Sequence, residues 1–182
     1  MVDLIIYPNP RIDKTLFMES IKRHNSRTDK PINLRVLKSE IVTDQNDEDK
    51  DVLQLFLEIR NGTFKCKAYK MEDGILDKNK TVWVNAFFET VQMGYTLVKD
   101  GHDKYRVERN DPLFNLLNYG LQQRNRVTPG NNQGFKDLTY TEITGALDNL
   151  NFGAVVKQRY GQTVLLAMDM DKWEEISVRQ IK

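Results

Sequence analysis

Residues Val52 to Tyr69 alternate apolar and polar side chains on either side of Asn61-Gly62. No other stretch limits the fold as strongly. A period of two marks a strand that buries one face. Asn-Gly between two such runs suits a type I′ turn, which needs positive φ at both central residues. The expectation is a hairpin in which Arg60 faces Thr63, Glu58 faces Lys65 and Phe56 faces Lys67. One face then carries Leu55, Leu57, Ile59, Phe64, Cys66 and Ala68, a core face. The other carries Gln54, Phe56, Glu58, Lys65, Lys67 and Tyr69, where rings share a surface with charges.

Thr81 to Glu89 repeats the arrangement. Val82, Val84, Ala86 and Phe88 make an apolar face, opposed by Thr81, Trp83, Asn85, Phe87 and Glu89. Tyr95–Lys99 and Lys104–Arg109 predict a second hairpin across Asp100-Gly101. Asp111 is suited to cap a helix near 112–123, with Pro112 at its first position and Leu113, Leu116, Leu117 and Leu121 in one stripe. Thr139-Tyr140-Thr141-Glu142 is a capping box that opens a helix near 139–149. Strands are expected at 152–159 and 163–168, joined at Tyr160-Gly161, with a last one at 173–178. Upstream, Leu4-Ile5-Ile6 and 33–43 read as strands and 12–23 as a helix. Residues 26–31 and 122–136 read as polar loops, and 44–51 as an acidic linker. The predicted class is α+β and β-rich, divided into an N-terminal extension (1–50) packing on a β-barrel domain (51–182).

The 182 residues are 40% hydrophobic and 29% charged, in the range of a folded domain rather than a disordered chain. A net charge of +1 excludes a protein that is basic throughout, so any nucleic-acid binding must come from a local patch. Glu40, Asp44, Asp47, Glu48, Asp49 and Asp51 gather in and around the linker, which leaves the middle of the chain locally more basic. No apolar run is long enough to span a membrane, and Asp3 and Pro8 speak against a secretory leader. The single cysteine, Cys66, suits a reducing compartment, and the cytoplasm is the expected location. With His24 and His102 as the only histidines, Cys66 cannot complete a structural zinc site. The acidic run lacks the glycine an EF-hand requires. Phosphate-binding loops, dinucleotide fingerprints and nucleophile elbows are absent. No catalytic residue, metal site or cofactor is therefore assigned, and the chain reads as a non-enzyme.

Phe56, Tyr69, Trp83 and Phe87 lie beside Lys65 and Lys67 on the polar faces of these strands. Single-stranded nucleic acid calls for this chemistry: a flat ring for each base and a cation for the next phosphate. A covering helix or N-terminal segment would instead make the rings a second core layer. Lys99, Lys104, Arg106 and Arg109, with Arg124 and Arg126 beyond, line a phosphate groove or form solvated surface charge. The predicted binding set is Phe56, Lys65, Lys67, Tyr69, Trp83, Phe87, Arg106 and Arg109.

A helix beginning Asp111-Pro112-Leu113-Phe114-Asn115-Leu116-Leu117 is followed by a polar loop and Leu138-Thr139-Tyr140-Thr141-Glu142-Ile143. Then comes Leu147-Asp148-Asn149-Leu150-Asn151-Phe152-Gly153-Ala154-Val155-Val156-Lys157. Over residues 52–168 this order resembles phage and mobile-element single-stranded-DNA-binding proteins of the OB-fold type. The resemblance implies an OB-like five-stranded barrel with inserted helices. It also implies binding of single-stranded DNA during replication or recombination, without catalysis, in the cytoplasm of a bacterial host. A second copy of the chain or replication proteins are the further partners expected. The alternative is a phage structural or protein-interaction module whose exposed rings meet another subunit.

Overall fold

The computed structural model describes residues 11–124 and 134–170. The strands expected at 4–6 and 173–178, together with Arg126, lie outside the described residues.

Helix α1 (Lys14–Thr28) begins where the Asp13 carboxylate accepts the Leu16 N–H at 2.8 Å. It ends at Asp29, which adopts φ 56° and donates its N–H to the Asn25 carbonyl. The helix runs past the expected boundary at residue 23, so Ser26 to Thr28, predicted as loop, form its last turn. Asn25 makes the extra length possible: its side-chain oxygen accepts the Val156 N–H at 3.1 Å and ties the last turn to a neighbouring strand.

The strands are β1 (Ile32–Thr43), β2 (Lys50–Ile59), β3 (Lys65–Glu72), β4 (Ile75–Asn85), β5 (Thr90–Lys99) and β6 (Lys104–Glu108). Then come α2 (Pro112–Gln123), β7 (Phe135–Thr139), α3 (Tyr140–Leu147), β8 (Asn151–Arg159) and β9 (Gln162–Met168). Seven strands form one sheet in the order β7-β6-β5-β2-β1-β8-β9, and β3 and β4 form a separate ribbon. Every pair is antiparallel. The segment β8-β1-β2-β5 is a Greek key, because the chain returns by a long connection to lay β8 beside β1. Residues 32–43 are thus hydrogen-bonded to β2 on one side and β8 on the other. The fold is α+β and strand-rich; among the described residues no pairing joins β7 to β9 and the sheet does not close.

The hairpin expected around Asn61-Gly62 does not form. Strand β2 has two edges, and β1 and β5 occupy both. Neither Asn61 nor Gly62 takes the positive φ that a type I′ turn needs. The tight turn lies instead at Asp73-Gly74, with φ 53° and 77°, and it pairs β3 with β4. Lys65 therefore opposes Asn85, Lys67 opposes Trp83 and Tyr69 opposes Thr81, in place of the predicted Glu58 and Phe56 partners. The core face itself forms as expected: Leu55, Leu57, Ile59, Phe64, Cys66 and Ala68 are all buried. Val82 and Phe88, predicted to be core, are exposed, because the ribbon packs inward chiefly through Cys66, Ala68 and Ala86.

The hairpin across Asp100-Gly101, both later helix caps and the β8–β9 turn at Tyr160-Gly161 follow the prediction. Strand β7 is not anticipated by the sequence: Phe135 and Lys136 fall in the expected polar loop 122–136, and Thr139 in the expected helix near 139–149. Gly120 lets α2 meet α3, since a Cβ there would stand 2.5 Å from the Ala146 carbonyl oxygen.

Candidate nucleic-acid interface

Helix α1 lies along the edge of β3 that β4 leaves free. The Lys67 N–H donates to Ser20 Oγ at 2.9 Å, and the Tyr69 N–H donates to the Arg11 carbonyl at 2.6 Å. Because the Lys67 amide points away from β4, Lys67 and Trp83 form a non-hydrogen-bonded pair. In such pairs opposed side chains approach most closely. Residues Ser20, Arg23, His24 and Arg27 recur at three- and four-residue spacing, so they share the side of α1 that faces the ribbon.

A groove of about 450 Å³ results, lined by Arg23, His24, Arg27, Thr63, Lys65 and Trp83 among others. The Trp83 ring, 45% exposed, is its wall. The Arg23 guanidinium stands 4.5 Å from the ring centre and the Lys67 ammonium 5.9 Å. Among the described residues no ion pair engages Arg23, Arg27, Lys65 or Lys67; the ion pairs that form join other cations to Glu40, Asp47, Asp51, Glu58, Glu72, Glu89 and Glu108. The positive potential of the groove is therefore left for solvent or a ligand. His24 packs edge-on against Phe64, with ring centres 5.8 Å apart, and burial lowers its pKa, so it is neutral at pH 7. Cys66 lies beneath the ribbon, where burial pushes its thiol up to about 11 and keeps it protonated.

The structure brings together Lys65, Lys67 and Trp83 from the predicted set, with Tyr69 on the same face of the ribbon. Tyr69 marks the acidic end: Asp13 first, with burial and Glu19 adding, raises its phenol pKa. Phe87 lies in the turn after β4, 40% exposed. Phe56 is only 7% exposed, on the sheet face where it opposes Lys38 and Gln92, so its ring offers no open stacking surface. Arg106 belongs to another surface, its Nε 2.7 Å from Glu108 and its guanidinium 3.7 Å from the Phe135 ring centre. Arg109 lines a separate pocket of about 240 Å³ with Arg159, Tyr160 and Asn115. Lys99 is held by the Glu48 carbonyl and Asp51, and Arg124 by the Asp148 carbonyl.

Sequence reasoning missed Arg23 and Arg27. Their four-residue spacing was visible, but a helix ended at residue 23 removes Arg27 from it. Among the described residues no cluster of histidine, cysteine and carboxylates suits a metal ion. No helix among them is long and apolar enough to cross a membrane. Comparison of the chain with family models, curated proteins and solved structures finds no match.

Proposed function

We propose that this protein binds single-stranded DNA, without catalysis, in the groove between α1 and the β3–β4 ribbon. The observation that carries the reading is the exposed Trp83 ring among Arg23, Arg27, Lys65 and Lys67, none of them paired with a carboxylate among the described residues. A base stacks on the indole and contributes about 1–3 kcal/mol whatever its identity. The guanidinium already over the ring completes a cation–ring–base sandwich. The remaining cations take the neighbouring phosphates.

The Greek key with β9 added beside β8 supports the OB-like reading, since an OB fold is a five-stranded, partly open Greek-key barrel. Residues of β5 and β9 also line one pocket of about 250 Å³, so the two outer strands of that five-strand set approach each other. The ribbon is inserted between β2 and β5, the second and third strands of the set, whose face an OB fold uses for oligonucleotides. A role in phage or mobile-element replication rests on the sequence resemblance alone.

The experiment is a titration with oligo-dT at low salt, followed by tryptophan fluorescence and repeated against duplex DNA. Quenching at micromolar protein that weakens as salt rises is the expected result. Absence of quenching, or equal affinity for duplex, overturns the reading. The competing reading, a surface for another protein subunit, is favoured by Ile75, 72% exposed beside the turn of the ribbon. Concentration-dependent association without a DNA shift would select it.

A further inference from the structure

We propose that Phe87 and Phe88 form a second stacking platform for the same single strand, and that the backbone is held strained at Phe88 to present it. The inference rests on the single-strand reading above. The two rings stand 3.8 Å apart, centre to centre, at 35°. They are 40% and 56% exposed, so a large part of each ring stays open to solvent. Phe88 nevertheless has φ 70°. A bulky L residue is disfavoured there, and glycine or asparagine would sit more easily.

The surrounding backbone prevents the strain from relaxing. The Phe88 N–H donates to the Ile59 carbonyl at 2.8 Å, and the Ile59 N–H donates to the Glu89 carbonyl at 2.9 Å. The Glu89 N–H closes the turn on the Ala86 carbonyl, and the Ala86 N–H reaches the Phe64 carbonyl. Asn85 fixes the approach: its side-chain oxygen accepts the Phe87 N–H at 3.1 Å, and its amide nitrogen donates to the Gly62 carbonyl. A conformation that costs stability and still leaves the Phe88 ring more than half exposed, locked by bonds on both sides, points to a ligand.

The ligand is a nucleic-acid strand because of what adjoins the rings. Lys65, which pairs with no carboxylate among the described residues, opposes Asn85, between Trp83 and Phe87 in the strand order; the Arg60 guanidinium, 5.4 Å from the Phe88 ring centre, is held by Glu58 at 2.9 Å. Phe87 follows Trp83 by four residues and lies in the turn after β4, so the two are at most about 13 Å apart along the chain, the reach of a fully extended segment of that length. A strand stacked at about 3.4 Å per nucleotide crosses that distance in about four nucleotides. One strand thus reaches both platforms.

The test uses the full-length chain and oligo-dT. Phe88→Gly removes the ring and suits the positive φ. Its thermal midpoint is expected to equal or exceed that of the native chain, while affinity for oligo-dT falls about fivefold or more. The salt dependence stays the same, because no cation is lost. Phe88→Tyr keeps a ring and restores affinity. If the native chain binds and Phe88→Gly binds equally well, the platform is overturned and the Trp83 groove stands. If the native chain does not bind oligo-dT, both fall. A lower midpoint for Phe88→Gly makes the ring structural and also overturns the inference. Loss of self-association with unchanged DNA affinity assigns the rings to a second copy and does the same.

Discussion

Lys67 lies directly opposite Trp83 across the β3–β4 ribbon, with its ammonium nitrogen 5.9 Å from the centre of the indole. Arg23, from a different element, comes to 4.5 Å of the same ring. The ring is therefore dressed with positive charge and still half open.

Replacing that ring separates binding from stability. Trp83→Ala is expected to weaken oligo-dT binding about tenfold, in line with about 1–3 kcal/mol per stacked base. Its thermal midpoint should move little, because the indole is 45% exposed. Phe56→Ala should do the opposite: a ring only 7% exposed costs about 3 kcal/mol or more of stability when removed. The folded fraction should bind as the native chain does. Equilibrium unfolding paired with fluorescence titration or anisotropy checks both.

The cations should appear in the salt dependence. Each phosphate contact on a single strand adds about 0.7 to the slope of log affinity against log salt. Arg27→Ala and Lys65→Ala should each reduce the slope by about that amount. Arg106→Ala, whose guanidinium is engaged with Glu108 and Phe135, should leave it unchanged. Titrations at several salt concentrations measure all three.

Two glycines report which turn closes a hairpin. Gly74 has φ 77°, so Gly74→Ala should cost about 1 kcal/mol, a drop of roughly 2–4 °C in thermal midpoint. Gly62 does not take positive φ and nothing lies within 4 Å of an added Cβ, so Gly62→Ala should stay within about 0.5 kcal/mol. The reverse order of effects would restore the Asn-Gly hairpin.

His24 links stability to pH. Burial lowers its folded-state pKa below 6.5. The unfolded chain then takes up a proton first as pH falls, so this group favours unfolding progressively below about pH 6.5. The loss levels off once the folded state protonates too. His24→Gln should flatten that part of the midpoint-against-pH curve between pH 7 and pH 5. A curve of unchanged slope would remove His24 from the explanation.

The absence of positive φ at Asn61 and Gly62 shows how far local signals reach. Asn61-Gly62 and Asp73-Gly74 have similar turn chemistry, and the strands beside both alternate. The choice between them is not local. Loop-closure cost grows only slowly with length, so β2 reaches β5 across the whole ribbon at little more expense than reaching β3. Once both edges of β2 are filled, β3 must pair elsewhere. Lys67 consequently meets Trp83 rather than Phe56. The ring–cation chemistry was legible, but its membership was not: Phe56 left the set, and Arg23 and Arg27 joined it.

What the chain determines by itself is whatever depends on neighbours a few residues away. The Asp111 cap, the Thr139–Glu142 capping box, the buried alternation from Leu53 to Ile59 and the Tyr160-Gly161 turn are of this kind. Tertiary structure alone decided which strands share an edge, that 32–43 runs through the middle of the sheet, and that α1 lies along β3. Alternation says that a face is buried and a cap says where a helix starts. Neither says against what, because a strand edge offers the same hydrogen bonds to every partner and only the packing of the whole core distinguishes them.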